Sequence, residues 1–326
     1  MELATEPAAP SPGGTSRRRA AAGPPQAAAG SPQAAADSGP RPARQHHPLP
    51  AGVLTTIWTL AAVSGLAMWT LLYAGLFSGF QEAAAQHALY ATLRSEIAQE
   101  IAPPFENFRF GKPVAILRVP QAGIDDVVLD GTTAGLLERG PGLERDSVLP
   151  GQVGVSVILG RQTMFGGPFR HLTALRKGDL IDVTTGAGTF TYRVDDLRYP
   201  GDPLPPPLAA GQGRLILVTA AGSGWRSAGA PDELLYVDTT LVGKPDRRTL
   251  AVPAAVPASE LPMRGDSGVL MPLVLWLQLL LLTVVGAVWV RSRWGGWQTW
   301  LVAAPALLAV LWVVSEISFQ LLPNLL

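Results

Sequence analysis

The sequence predicts a mostly β domain, a closed barrel or sandwich, carried by three transmembrane α-helices. Long apolar runs lie near Val53–Phe77, Gly268–Val290 and Trp300–Leu322, with Glu316 their one charged residue. Between Lys112 and Gly243, short runs rich in Val, Ile, Leu, Thr and Tyr alternate with turn residues, the texture of many short strands. Charged residues make up 15 % of the 326 positions, well below the usual quarter, because the apolar runs carry almost none.

Residues 1–48 are rich in Ala, Pro, Gly and Ser and contain Arg17, Arg18, Arg19, Arg41 and Arg44. Such a composition buries too little apolar surface to offset ordering, so a disordered tail is expected. Residues 53–77 form the first span, since about 20 apolar residues cross the hydrocarbon core. The run is too long and too deep in the chain for a typical cleaved signal sequence. Residues 81–103 have strong helix formers without Pro or Gly up to Ala102, and Ala85, Leu89, Leu93 and Ile97 recur on one face, which predicts a helical stalk with His87 on its surface. Residues 105–243 are the β domain. Within it, TTGAGT between Ile181 and Tyr192 reads as a hairpin turn, and FRHLTALRKGD as a short helical turn. Residues 244–266 are a Pro-rich linker. Residues 268–290 and 300–322 are the second and third spans, joined by a loop bearing Arg291 and Arg293 between tryptophans. Both arginine clusters place their ends in the cytoplasm by the positive-inside rule. The expected topology is multi-pass, with the N-terminus cytoplasmic and both the barrel and the C-terminus extracellular.

Several function classes are excluded or disfavoured. The chain has no cysteine and a formal net charge of zero, so disulfides, thiolate metal sites and a cysteine nucleophile are ruled out, and no global field attracts nucleic acid. The four histidines are scattered and show no metal-ligand spacing. His46 and His47 read as solvated linker. No metal or other cofactor is expected. Gln278 and Glu316 lie in or near the last two spans. An intramembrane carboxylate marks a site by default, but Glu316 is near the outer end of its helix, and an interfacial or helix-contact role is the expectation.

The order of segments in the β domain resembles the sortase family. ILRVPQAGIDDVVLDGT is similar to its opening strands. GPGLERDSVLPGQVGVSVILGRQTMFGGPFRHL is similar to the segment that carries its histidine. LRKGDLIDVTTGAGTFTYRV is similar to its central hairpin, and RLILVTAAG and ELLYVDTTLV to its last two motifs. The resemblance covers roughly Phe105 to Val242 and is to the actinobacterial, class E/F type. It implies an eight-stranded extracytoplasmic β-barrel. It also implies a transpeptidase that cuts a sorting signal with a cysteine thiolate, helped by a histidine and an arginine. Those are the nucleophile, acid/base and oxyanion support of acyl transfer.

At the matching positions this chain departs from the family. The histidine of Gly-His-Arg is replaced in Gly160-Arg161-Gln162, the cysteine after Val218-Thr219 is Ala220, and the arginine opening the final strand is Leu234. Leu143 stands where many relatives have another histidine. Alanine has no lone pair, arginine cannot act as a base, and leucine donates no hydrogen bond. The resemblance therefore implies an inactive member: a binding or scaffold module for a sorting-signal-like peptide or an envelope partner such as an active sortase. Arg161, Thr219 and Ser223 are the expected groove lining, with Arg161 either meeting a carboxylate or lying solvated. Two other readings stay open. Ser223, in a Gly-Ser-Gly turn, would serve a relocated hydrolase if His171 lay within reach. Alternatively the chain is a structural accessory subunit of a membrane assembly.

Overall fold

The structure is a computed structural model that describes residues 51–100, 110–221, 233–247, 255–262, 264–294 and 296–325. The first helix, α1 (Ala51–Leu72), runs through a π-helical segment (Tyr73–Phe77) into α2 (Ser78–Ala98). Span and stalk are thus one continuous helix. The last two helices are α4 (Leu270–Trp294) and α5 (Gly296–Phe319). Among the described residues, three helices, Thr55–Ala98, Ser267–Arg293 and Gly296–Phe319, are long and apolar enough to cross a membrane. Their outer faces leave large apolar side chains such as Trp58, Leu71, Met271 and Leu282 exposed. A lipid phase would cover such a surface, whereas in water it would cost free energy.

The β domain is a closed barrel in the order β1-β2-β3-β4-β7-β8-β6-β5. Its strands are β1 (Pro113–Val119), β2 (Ile124–Asp130), β3 (Gly142–Leu143), β4 (Gly154–Leu159), β5 (Leu180–Thr185), β6 (Gly188–Arg198), β7 (Gly213–Ala221) and β8 (Glu233–Val242). One turn of helix, α3 (Ala134–Leu137), precedes β3. The hairpin turn lies where the sequence puts it, with Thr185 opposite Gly188. The β2–β3 and β4–β7 pairs are parallel, and the other pairs are antiparallel. Closure removes the free sheet edges.

Inward-facing residues fill the barrel, among them Leu117, Ile158, Leu215, Leu217, Leu235 and Val237. Leu143, where the family comparison raised a histidine, belongs to this interior. Tyr192 is fully buried there, and its hydroxyl accepts a hydrogen bond from the backbone N–H of Gly151 at 2.7 Å. Tyr192→Phe orphans that N–H and is expected to cost about 1–3 kcal/mol, measurable as a lowered midpoint of chemical unfolding in detergent.

The stalk does not stand free of the barrel. Leu89 and Leu93 pack with Val127, Leu129 and Leu136. Gln86 accepts from the N–H of Val127 at 2.7 Å and donates to the carbonyl of Arg139 at 2.8 Å. Gly140 lies under that amide, in the left-handed region (φ +150°), and a Cβ there would collide with Gln86. The side chain of His87 is not buried.

Candidate functional site

Side chains alternate across a strand, so β4, β7 and β8 each present a second set of residues to the outside of the barrel. On β7 the inward set is Leu215, Leu217 and Ala221, and the outward set includes Val218 and Ala220. Yet Val218 is only 3 % and Ala220 1 % exposed. They form an outer apolar patch with Leu137 of α3, Leu159 of β4 and Leu325, against which Val157, Ile216, Leu234 and Tyr236 also pack. This double-sided burial is why GVSVIL, GRLILVTAA and ELLYV read as nearly continuous apolar runs rather than alternating ones. The patch opens into a cavity of about 230 Å³ lined by Glu144, Val157, Arg198, Ile216, Tyr236 and Pro262. Arg198 is held there by Asp238 at 2.9 Å, with its guanidinium 4.3 Å from the centre of the Tyr236 ring.

Two of the residues singled out in the sequence, Ala220 and Leu234, meet in this patch. Ala220 and Leu234 are direct cross-strand partners. Gly160, at the end of β4, donates its N–H to the carbonyl of Val218, and its own carbonyl accepts from the hydroxyl of Thr219 at 2.8 Å. Arg161 is the next residue. Thr219 shares the inward parity of β7, so its hydroxyl is committed to the barrel wall rather than to the groove.

Arg161 neither lies solvated nor reaches into an open groove. It is fully buried. Its Nη2 donates to the carbonyl of Ala134 at 3.1 Å and lies 4.0 Å from Oε1 of Glu138. Its guanidinium carbon sits 4.8 Å from the centre of the Phe165 ring. Arg161 Nε and Nη1 and Glu138 Oε1 have no hydrogen-bond partner among the described residues. Burial lowers the pKa of Arg161 to about 10 against the opposing pull of Glu138, so it stays cationic at neutral pH. Burial raises that of Glu138 to about 7, and Arg161 and a hydrogen bond from Gln320 limit the rise. A cation so enclosed is a fixed positive charge; it has no accessible proton-accepting state for chemistry at pH 7.

The loop after Arg161 ties the barrel to the helices. Phe165 adopts a left-handed conformation (φ +49°), unusual for a bulky side chain. Its N–H donates to Ser78 Oγ at 3.3 Å. Its ring meets Phe319 edge-on at 6.3 Å, and Phe319 stacks on Tyr73 at 5.3 Å. The π-helical segment begins at Tyr73, and such bulges are frequent at functional sites. Gln81 donates to Glu316 at 3.3 Å, which gives that carboxylate a helix-contact partner. Gln278 lies on the exposed face of α4.

His171 is exposed at the start of a short 3₁₀ turn and lines a different cavity, of about 270 Å³, with Glu82, Asp126 and Arg170. Ser223, His46 and His47 lie outside the described residues. No group of three or more His, Cys, Asp or Glu that could hold a metal ion occurs among the described residues.

Two parts of the site escaped the sequence reading. Glu138, the buried partner of Arg161, looks in sequence like any surface acid at the end of a short helix. The segment after α5 also enters the site: the helix ends at Phe319, and Leu325 is fully buried in the outer patch. Pro323, which disfavours helix continuation, was the available signal.

A barrel of eight strands closed through two parallel pairs, with an apolar cleft on the outer face of β4, β7 and β8, is the sortase class of fold. Residues 117–219 match the family model for the sortase domain. Sortase D of Bacillus subtilis strain 168 is 34 % identical over 85 residues, 26 % of this chain and 41 % of that protein. The match thus spans less than half of the relative's length. Among solved structures, a Clostridium perfringens sortase D5 transpeptidase aligns with a TM-score of 0.42 and 20 % identity, over 49 % of this chain and 99 % of its own. Sortase E of Streptomyces avermitilis aligns with a TM-score of 0.35 and 27 % identity, over 47 % and 100 %.

Proposed function

We propose that this chain is a catalytically inactive sortase-like membrane protein of the actinobacterial class E/F type. Its barrel acts at the cell surface as a binding or scaffold module for an extended sorting-signal-like peptide or an envelope partner. The observation that carries this reading is the content of the outer patch. Ala220 and Leu234 face each other across β7 and β8, and Arg161, the residue after Gly160, lies buried with its charge turned to Glu138. Acyl transfer needs a nucleophile, a titratable base and an oxyanion donor within reach of one carbonyl; Ala220 and Leu234 supply none of these, and Arg161 is no base, its N–H donors being enclosed away from solvent. The apolar cleft and the cavity beside Tyr236 remain suited to an extended peptide. The N-terminus and the last turn of α4, which bears Arg291 and Arg293, are assigned to the cytoplasm and the barrel to the outside, on the positive-inside rule.

The test is an assay of the full chain in nanodiscs with a fluorogenic sorting-signal peptide and an amine acceptor. Loss of one member of a catalytic triad costs about 10⁴-fold, so turnover is expected to be indistinguishable from the protein-free blank. The triple variant Arg161→His, Ala220→Cys, Leu234→Arg is the companion sample. Cleavage by the unaltered chain, particularly if abolished by Ser223→Ala, would overturn the proposal in favour of a relocated nucleophile.

A further inference from the structure

The outer faces of β4, β7 and β8 are apolar and ought to be open to solvent, yet Ala220 and Val218 are buried. What covers them on one side is the chain itself. After Phe319 the backbone leaves the helix, and Leu325 inserts among Leu137, Leu159, Val218 and Ala220. Its carbonyl accepts from the N–H of Gln162 at 3.1 Å, one residue past Arg161. Asn324 is fully buried, and its Nδ2 donates to the carbonyls of Ser259 and Leu261, both at 2.9 Å. Its N–H donates to the carbonyl of Arg264 at 3.1 Å, and the N–H of Asp266 to the carbonyl of Gln320 at 2.9 Å. At Gly265 the linker and the tail approach so closely that a Cβ would collide with the carbonyl of Leu321. Gln320 donates to Glu138 at 3.4 Å.

The linker therefore forms one wall and the barrel the other, with the tail clasped between them through backbone and amide hydrogen bonds. The segment forms turns and not a strand, but it is held as a bound peptide is, with main-chain bonds giving affinity and side-chain pockets giving selection.

We propose that the segment Leu321–Leu325 is an intramolecular ligand of the barrel's outer groove, and that an external peptide reaches the Ala220 end only when this segment has left. This rests on the reading of that face as the peptide groove. The tail follows directly from α5, so its departure is mechanically coupled to movement of the membrane hairpin, and the hairpin thereby gains control of access to the cleft.

The absence of native cysteine makes a clean test possible. Ala220→Cys in the full chain, reconstituted in nanodiscs, provides a single thiol, and its rate of reaction with a maleimide reports whether the groove is covered. With the tail unaltered the thiol should label slowly. Asn324→Ala should speed labelling about tenfold by removing two buried hydrogen bonds, and Leu325→Asp about a hundredfold or more. Asn324→Ala also serves if Leu325→Asp fails to fold. Ser156→Cys, at a position 1 % exposed in the barrel wall, is the control and should stay protected in every background. Equal labelling at position 220 with and without the tail changes would overturn the proposal. So would deprotection of both introduced thiols together, because the tail would then be part of the barrel's fold and not a removable ligand. None of these outcomes depends on turnover, so this result and the cleavage assay can fail independently.

Discussion

Arg161→Met is expected to destabilise the folded protein by about 3–5 kcal/mol at pH 8, the usual cost of breaking one side of a buried ion pair. Methionine keeps much of the stem's packing, so most of the loss is electrostatic. The variant strands the carboxylate of Glu138, which is 3 % exposed and 4.0 Å from the guanidinium. The penalty should also depend on pH. The folded-state pKa of Glu138 is raised from 4.5 to about 7, so the unfolded chain gives up this proton first. The stability contributed by protonated Glu138 is complete below about pH 4.5 and is lost as pH rises through about 7. A shift of that size is worth about 3 kcal/mol across the window. Without Arg161 the folded pKa rises further and the loss continues above pH 8. The cost of Arg161→Met should therefore be smaller at pH 5 than at pH 8 by at least about 1 kcal/mol. Unfolding followed by tryptophan fluorescence in detergent, at both pH values, measures this. A penalty independent of pH would mean that the two groups do not interact.

The second large effect is expected at Phe165→Ala, with a loss of about 3–5 kcal/mol as for other buried aromatic truncations. The ring is 1 % exposed and lies between the Arg161 guanidinium and Phe319. Its removal opens a cavity where the barrel loop meets the top of the helices. A double-mutant cycle with Phe319→Leu should return a coupling of about 0.5–1.5 kcal/mol, the range for paired aromatic rings. Additive losses would show that the edge-on contact contributes nothing beyond burial. The same change should lower the stability of the Arg161–Glu138 region, because the Phe165 ring is one wall around that buried cation.

The resemblance led directly to Arg161, Ala220 and Leu234 because it rests on local order: a Gly before the first, Val218-Thr219 before the second, a β-rich run after the third. The strand register, which the sequence comparison did not specify, brings Ala220 opposite Leu234. Glu138 was not legible. It follows α3 and lies far from Arg161 in sequence, and no periodicity separates an acid that faces water from one enclosed at 3 % exposure. The inward turn of Thr219 was likewise a matter of parity. It followed from the pairing of β7 with β4 and β8 and not from the Val-Thr-Ala string itself.

The sequence by itself determined the three apolar helices, the strand-rich domain between them, its hairpin at Gly186-Ala187 and the loss of cysteine chemistry. These follow from composition, short-range periodicity and turn preferences, which depend on neighbours within a few positions. Tertiary structure alone decided that Arg161 is paired and enclosed, that the outer faces of β4, β7 and β8 are covered, and that Leu325 does part of the covering. Each of those outcomes turns on desolvation. Whether a charge or an apolar face is hidden from water depends on which distant segment arrives to cover it, and only the closed barrel, the linker and the segment after α5 together supply that cover.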